Sequence, residues 1–274
     1  MKTIHFVTYA NGNSRVTGFP FAYTQKILVD SIQAQTKRKV VLHTHNLETV
    51  KKQKWFNKIE HFPNIEMGEK AWARDGYFNS FKALIIHDLL DKIDEGDYIY
   101  YTDSSAYARE PFMQNLDRFF DYVDYNGHIC GSHGNDFMHR SFGCLSNQDV
   151  WKVIWPESEM YLPRILSHTH ILNSWFCFKN TDKNRKFIKE WSYLTTNVVI
   201  NEKPIITIHH TVDQSLFNVL VYKYGFGTFF NNTKHDDNKN HNNIHKFINN
   251  LHIDNISELN QYFPKPINYL KRLN

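Results

Sequence analysis

With 274 residues, 41% of them hydrophobic and 22% charged, the chain carries enough apolar material for a substantial core and lies far from the composition of disordered proteins. The formal net charge of +4 comes from Lys and Arg scattered along the chain, which argues against a nucleic-acid partner. No apolar run reaches the about 18 residues of a membrane span, and Asn11 and Ser14 come too early for a secretory leader, so the expectation is a cytoplasmic protein with no membrane span.

Residues 4–9, Ile-His-Phe-Val-Thr-Tyr, read as a first strand that ends in the turn chemistry of Ala10 to Asn13. Ile27, Leu28, Ser31 and Ile32 keep one face at helical spacing, and the β-branched run Val40-Val41-Leu42 follows. Strand, helix, strand is the opening of a parallel α/β fold. A helix with Val50, Trp55, Phe56 and Ile59 comes next, then an extended piece around Ile65 to Met67. Asn79 or Ser80 is placed to cap a helix whose Phe81, Leu84, Ile85, Leu89 and Ile93 repeat at three and four residues, with Gly96 as its stop. Tyr98 to Thr102 then reads as a buried strand that delivers Asp103-Ser104-Ser105 at its carboxyl end, where open parallel sheets bind ligands.

Beyond it the pattern gives a helix around residues 113–122, a strand at His128 to Cys130, and a loop from Gly131 to Gly143 that holds His133, Asp136, His139 and Arg140. The second half offers an extended segment from Ile171 to Phe178, a helix from Asp182 through Leu194, a helix from near Thr211, and a last strand at Phe226 to Phe230. Residues 1–230 are taken as one domain. Residues 231–274, dense at first in Asn, Lys and His, are taken as a segment packing on that domain or extending from it. Cys130, Cys144 and Cys177 show no CxxC spacing and read as free thiols.

A hard divalent ion held by one or two carboxylates, with substrate phosphate oxygens completing its shell, offsets the charge of a leaving diphosphate. Asp103 is the first candidate for such a carboxylate. The stretch Gly76-Tyr77-Phe78-Asn79-Ser80-Phe81-Lys82, the helix after it, the turn Asp94-Glu95-Gly96-Asp97 and the strand ending Tyr100-Tyr101-Thr102-Asp103-Ser104-Ser105 together resemble a family of GT-A glycosyltransferases. Members of that family carry Gly-Tyr-aromatic-x-x-aromatic-Lys-Pro, a helix, an acidic Gly-Asp turn, and a strand ending Tyr-x-Asp-Ala-Gly. Here Ala83 follows the lysine, and Ser104-Ser105 follow the aspartate where many GT-A enzymes carry Asp-x-Asp. Leu172 to Asn180 resembles the family's central strand, and His209 to Leu216, with Asp213-Gln214-Ser215, resembles its Asp-Gln-Ser element on the acceptor side.

The resemblance implies a GT-A, Rossmann-like fold with a mixed, mostly parallel central sheet flanked by helices. It implies transfer of a sugar from a UDP- or GDP-sugar donor to a carbohydrate or glycoconjugate acceptor, assisted by Mn2+ or Mg2+. The implied donor side is Thr8, Tyr9, Ala10 and Asn11 for the nucleoside, with Arg74, Lys82, Asp103, Ser104 and Ser105 around the diphosphate. Asp103, Ser105 and the C-terminal His235 would hold the metal, His241 being the alternative histidine. Asn173, Ser174, His210 and Gln214 would border the acceptor, with Asp213 as general base. The competing expectation is a protein of the same fold that binds a sugar or nucleotide sugar without turnover.

Exposed ion pairing is the plain alternative for Arg74 and Lys82, and Asp103→Asn is expected to leave folding nearly unchanged. The pairs His43/His45 and His168/His170 have zinc-compatible spacing, which 16 histidines in one chain also produce by chance.

Overall fold

The computed structural model describes residues 2–12, 20–56, 81–104, 116–132, 151–152, 154–157, 171–197, 212–226 and 229–230. In chain order these form β1 (Ile4–Tyr9), α1 (Phe21–Gln35), β2 (Val40–His45), α2 (Leu47–Lys51), α3 (Phe81–Leu90), β3 (Tyr98–Thr102), α4 (Leu116–Asn126), β4 (His128–Ser132), β5 (Ile171–Lys179), α5 (Asp182–Asn197), α6 (Val212–Lys223) and β6 (Phe229–Phe230). The strands make one mixed sheet in the order β2-β1-β3-β5-β4-β6. Three pairings are parallel, β1 with β2, β1 with β3 and β4 with β6, whereas β5 runs antiparallel to both of its neighbours. The α/β class read from the sequence is the class observed.

Alternation along the strands divides the core into two layers. On one face Phe6 meets Tyr100 edge to face, and Tyr100 in turn meets Phe120 of α4. On the other, Val7, Tyr9, Ile99, Tyr101, Phe176 and Phe178 join the apolar sides of α3, α5 and α6 in one cluster. Every residue of β1 and β3 is buried, as expected of strands covered on both sides, while the edge strand β2 is only half-buried.

Local chemistry sets the ends of these elements. The helix expected to run to Ile93 stops at Leu90, and Ile93 is buried in the turn that follows. Gly96 lies within that turn at φ +83°, and a Cβ there would stand 2.9 Å from the Lys2 side chain, so both conformation and space require glycine. Asn180 holds the same turn: its Nδ2 donates to the carbonyls of Ile93 and Asp94, and its backbone N–H to that of Asp97. Gly127 at φ +79° ends α4 with a bond from its N–H to the Val123 carbonyl, and its own carbonyl accepts from Asn184 Nδ2. Thr181 caps α5 by accepting from the Asn184 N–H.

Phe176 sits at the middle of the larger layer. It is fully buried, stacks on Tyr101 with centroids 5.2 Å apart, and meets the rings of Trp191 and Phe217 at 5.8 and 5.3 Å. Phe176→Ala is expected to cost about 3–5 kcal/mol of unfolding free energy in urea denaturation, the usual range for emptying such a position.

Candidate functional site

β1 is followed in the chain by β2 on one side, but its other neighbour in the sheet is β3, so the strand order reverses between β1 and β3. In open α/β sheets a crevice for ligands opens outside the carboxyl ends of the strands at such a point. The two strands run parallel in the register Ile4 with Tyr98 and Val7 with Tyr101, which brings the end of β1 beside Asp103 and Ser104.

Asp103 is held there from below. Lys82, in the first described turn of α3, is only 2% exposed. Its Nζ lies 3.1 Å from Asp103 Oδ1 and donates at 3.4 Å to Oδ2 and to the carbonyl of Asn173. It also stands 5.4 Å from the centroid of the Tyr101 ring, within cation–π range. Tyr101 precedes Asp103 by two residues, so both leave the strand on the same face, and the Tyr101 hydroxyl donates to Asp103 Oδ1 at 2.6 Å. The lysine side chain is 3% exposed and the carboxylate 29%. The cation is sealed while part of the anion faces outward.

The other expected donor residues divide. Thr8 is fully buried with no hydrogen-bond partner for its Oγ1, Tyr9 packs its ring on Phe81 with centroids 4.0 Å apart, and Ala10 is 4% exposed. Burial pushes the Tyr9 phenol well above its usual pKa. The side chain at this strand end that meets the surface is that of Asn11, which is half-buried. Ser104 is buried beside Asp103. On the acceptor side the Asn173 side chain is buried, and Gln214 Nε2 donates to the Ile171 carbonyl at 2.9 Å, a contact that anchors the start of β5. Asn218 reinforces it by accepting from the Ile171 N–H and donating to the Ile171 carbonyl. Asp213 falls in the first turn of α6, and its side chain, like that of Ser174, lies outside the described residues, as do Arg74, Ser105, Asp136, His210, His235 and His241.

Two features correct the sequence expectations. Lys82 is part of a buried ion pair instead of an exposed one, because α3 is apolar nearly all round and leaves no wet side for its second residue. Tyr101 was not among the expected site residues, although its place two positions before Asp103 on a strand was signal enough.

Among the described residues no group of three or more His, Cys, Asp or Glu side chains converges into a metal site. The chemistry at Asp103 nevertheless fits a hard divalent cation bound through one carboxylate. Its exposed edge retains lone pairs beyond those taken by Lys82 and Tyr101, and phosphate and water complete such shells.

No family model matches the chain, and no curated protein matches it. Among solved structures, mouse xyloside xylosyltransferase 1 in its apo form is similar at 9% identity and a TM-score of 0.40, covering 83% of this chain and 84% of that one.

Because Lys82 is sealed, removing only its anion is costly. Asp103→Asn is expected to lower stability by about 1–3 kcal/mol, the range for a hydrogen bond to a charged group, in contrast to the neutral effect expected from the sequence. The double variant Lys82→Met/Asp103→Asn should recover part of that loss, and additive losses in a double-mutant cycle would show that the pair is not coupled.

Proposed function

We propose that the chain is a glycosyltransferase that uses a nucleoside-diphosphate sugar and binds the diphosphate at Asp103. The observation that supports this most is the partly open Asp103 carboxylate, fixed by Lys82 and Tyr101 at the point where the strand order reverses. The resemblance of the segments around Lys82, Asp103 and Asp213 to GT-A enzymes supports it independently.

In this reading the nucleoside lies along the end of β1 next to Asn11. Mn2+ or Mg2+ would be held by Asp103, with Ser105 and His235 as further ligands, and would supply positive charge to the leaving diphosphate. Lys82 and Tyr101 keep the carboxylate correctly turned, since the ammonium and the hydroxyl fix its oxygens. Arg74 adds charge on the phosphate side. The acceptor lies near Asn173, Ser174, His210 and Gln214. The bond from the anomeric carbon to the diphosphate oxygen breaks, a bond to the acceptor oxygen forms, and Asp213 takes the hydroxyl proton.

The test begins with calorimetry of UDP and GDP. At least one is expected to bind in the presence of Mn2+ and much more weakly with chelator, and equal affinity in both conditions would instead favour direct neutralisation by Arg74. Asp213→Asn is expected to slow transfer by about two orders of magnitude or more while donor affinity stays within a few-fold. Full Mn2+-dependent turnover in Asp103→Asn would sink the assignment. Tight donor binding with neither transfer nor donor hydrolysis would point to a sugar-nucleotide-binding protein.

A further inference from the structure

At the opposite end of β1, away from Asp103, a second polar cluster lies on the edge of the sheet. His5 Nδ1 and His43 Nε2 are 3.0 Å apart, and the two rings stack with centroids at 5.3 Å. His5 Nε2 faces Asp97 Oδ2 at 3.3 Å, and Asp97 Oδ1 accepts from the Thr3 N–H at 2.9 Å. His45 lies two residues further on, level with Tyr9 toward the other end of the strands, with its Nδ1 buried and lacking a hydrogen-bond partner.

We infer that His5 and His43 form an open site for one imidazole-preferring divalent cation, of the zinc, copper or nickel kind, at the edge strand of the sheet. Asp97 sets the tautomer of His5. A carboxylate only accepts hydrogen bonds, so the His5 proton sits on Nε2 and the Nδ1 lone pair faces His43. This is the carboxylate–histidine arrangement that orients metal-bound imidazoles. At 3.0 Å the His43 Nε2–H donates to the His5 Nδ1 lone pair; with the His43 proton moved to Nδ1 its Nε2 lone pair faces the same gap, and a tetrahedral cation about 2.0–2.1 Å from each nitrogen needs them roughly 3.3 Å apart, a small opening from what is observed.

Access agrees with this. β2 is an outer strand and His43 is only half-buried, so a cation arrives without opening the core. The surrounding charges are Lys39, Asp88, Lys92 and Asp94, of which Lys92 and Asp88 neutralise each other at 2.6 Å. Two imidazoles leave the remaining positions to water or an outside ligand, and imidazole donors select zinc, copper or nickel over the Mg2+ and Mn2+ that suit carboxylates. This site is independent of the proposed transferase chemistry.

Calorimetry with zinc chloride or nickel chloride alone, on the full chain, tests it. One cation per chain is expected to bind. Affinity should fall at least about 10-fold in His43→Gln, an edge-strand change that spares the core, and about 10–100-fold in Asp97→Asn, the usual effect of losing the group behind a ligand. The His168→Gln/His170→Gln variant should bind as the parent does. With Cu2+, electron paramagnetic resonance should show coupling to two imidazole nitrogens, reduced to one in His43→Gln. Absence of one-to-one binding, or undiminished binding in His43→Gln, would overturn the inference. Mn2+-dependent binding of UDP or GDP, measured on the same variants, is expected to be unchanged by His43→Gln, so the two sites stand or fall separately.

Discussion

An ammonium group sealed from water demands an anion within reach, and in this protein that demand joins the start of α3 to the end of β3. Lys82 finds Asp103, and through the Asn173 carbonyl it also touches the antiparallel strand between the two halves of the sheet. The residue best placed to meet a ligand is therefore also part of the fold's internal charge balance. A variant of Asp103 that loses activity says little about catalysis until its stability is known, because both effects start from the same carboxylate.

Much of the fold was legible in the sequence because periodicity and turn chemistry agree there. β1, β2 and β3 are where β-branched and aromatic residues cluster, and Gly96 marks its turn for the steric reason now visible. The direction of β5 was not legible. A buried run such as Trp175 to Phe178 looks the same read either way, and orientation is fixed by connections the pattern does not contain. In the site, Asp103 stood out because a strand-end acid after an apolar run is unusual. Lys82 was harder to place, since a single lysine near a helix start normally reaches water, and only the apolar character of the whole segment Phe81 to Leu90 betrays its burial. For Tyr9, alternation with Val7 already indicated a core-facing ring.

Asparagine, which the sequence offered mainly as a loop signal, has a second use inside this protein. Asn180, Asn184 and Asn218 are all buried, and each turns its amide toward main-chain carbonyls in turns or at strand ends. Asn218 is the fullest case, bonding both the N–H and the carbonyl of Ile171 as a neighbouring strand would. An amide side chain carries donor and acceptor in the same spacing as a peptide group, so it can close a sheet where the backbone does not. Composition does not distinguish such residues from loop asparagines; their burial does.

The antiparallel course of β5 also bears on how the protein reaches its native state. Its pairing with β3 matches Thr102 to Trp175 and Tyr98 to Lys179, joining the two halves of the chain across everything between them. Contacts of such long sequence separation close a large loop before they return any stabilisation, and folding rates fall as they come to dominate. The Asn173 carbonyl that helps seal Lys82 arrives with that strand. Until β5 docks the lysine lacks that carbonyl, so the setting of Asp103 is complete only once this long-range pairing has formed.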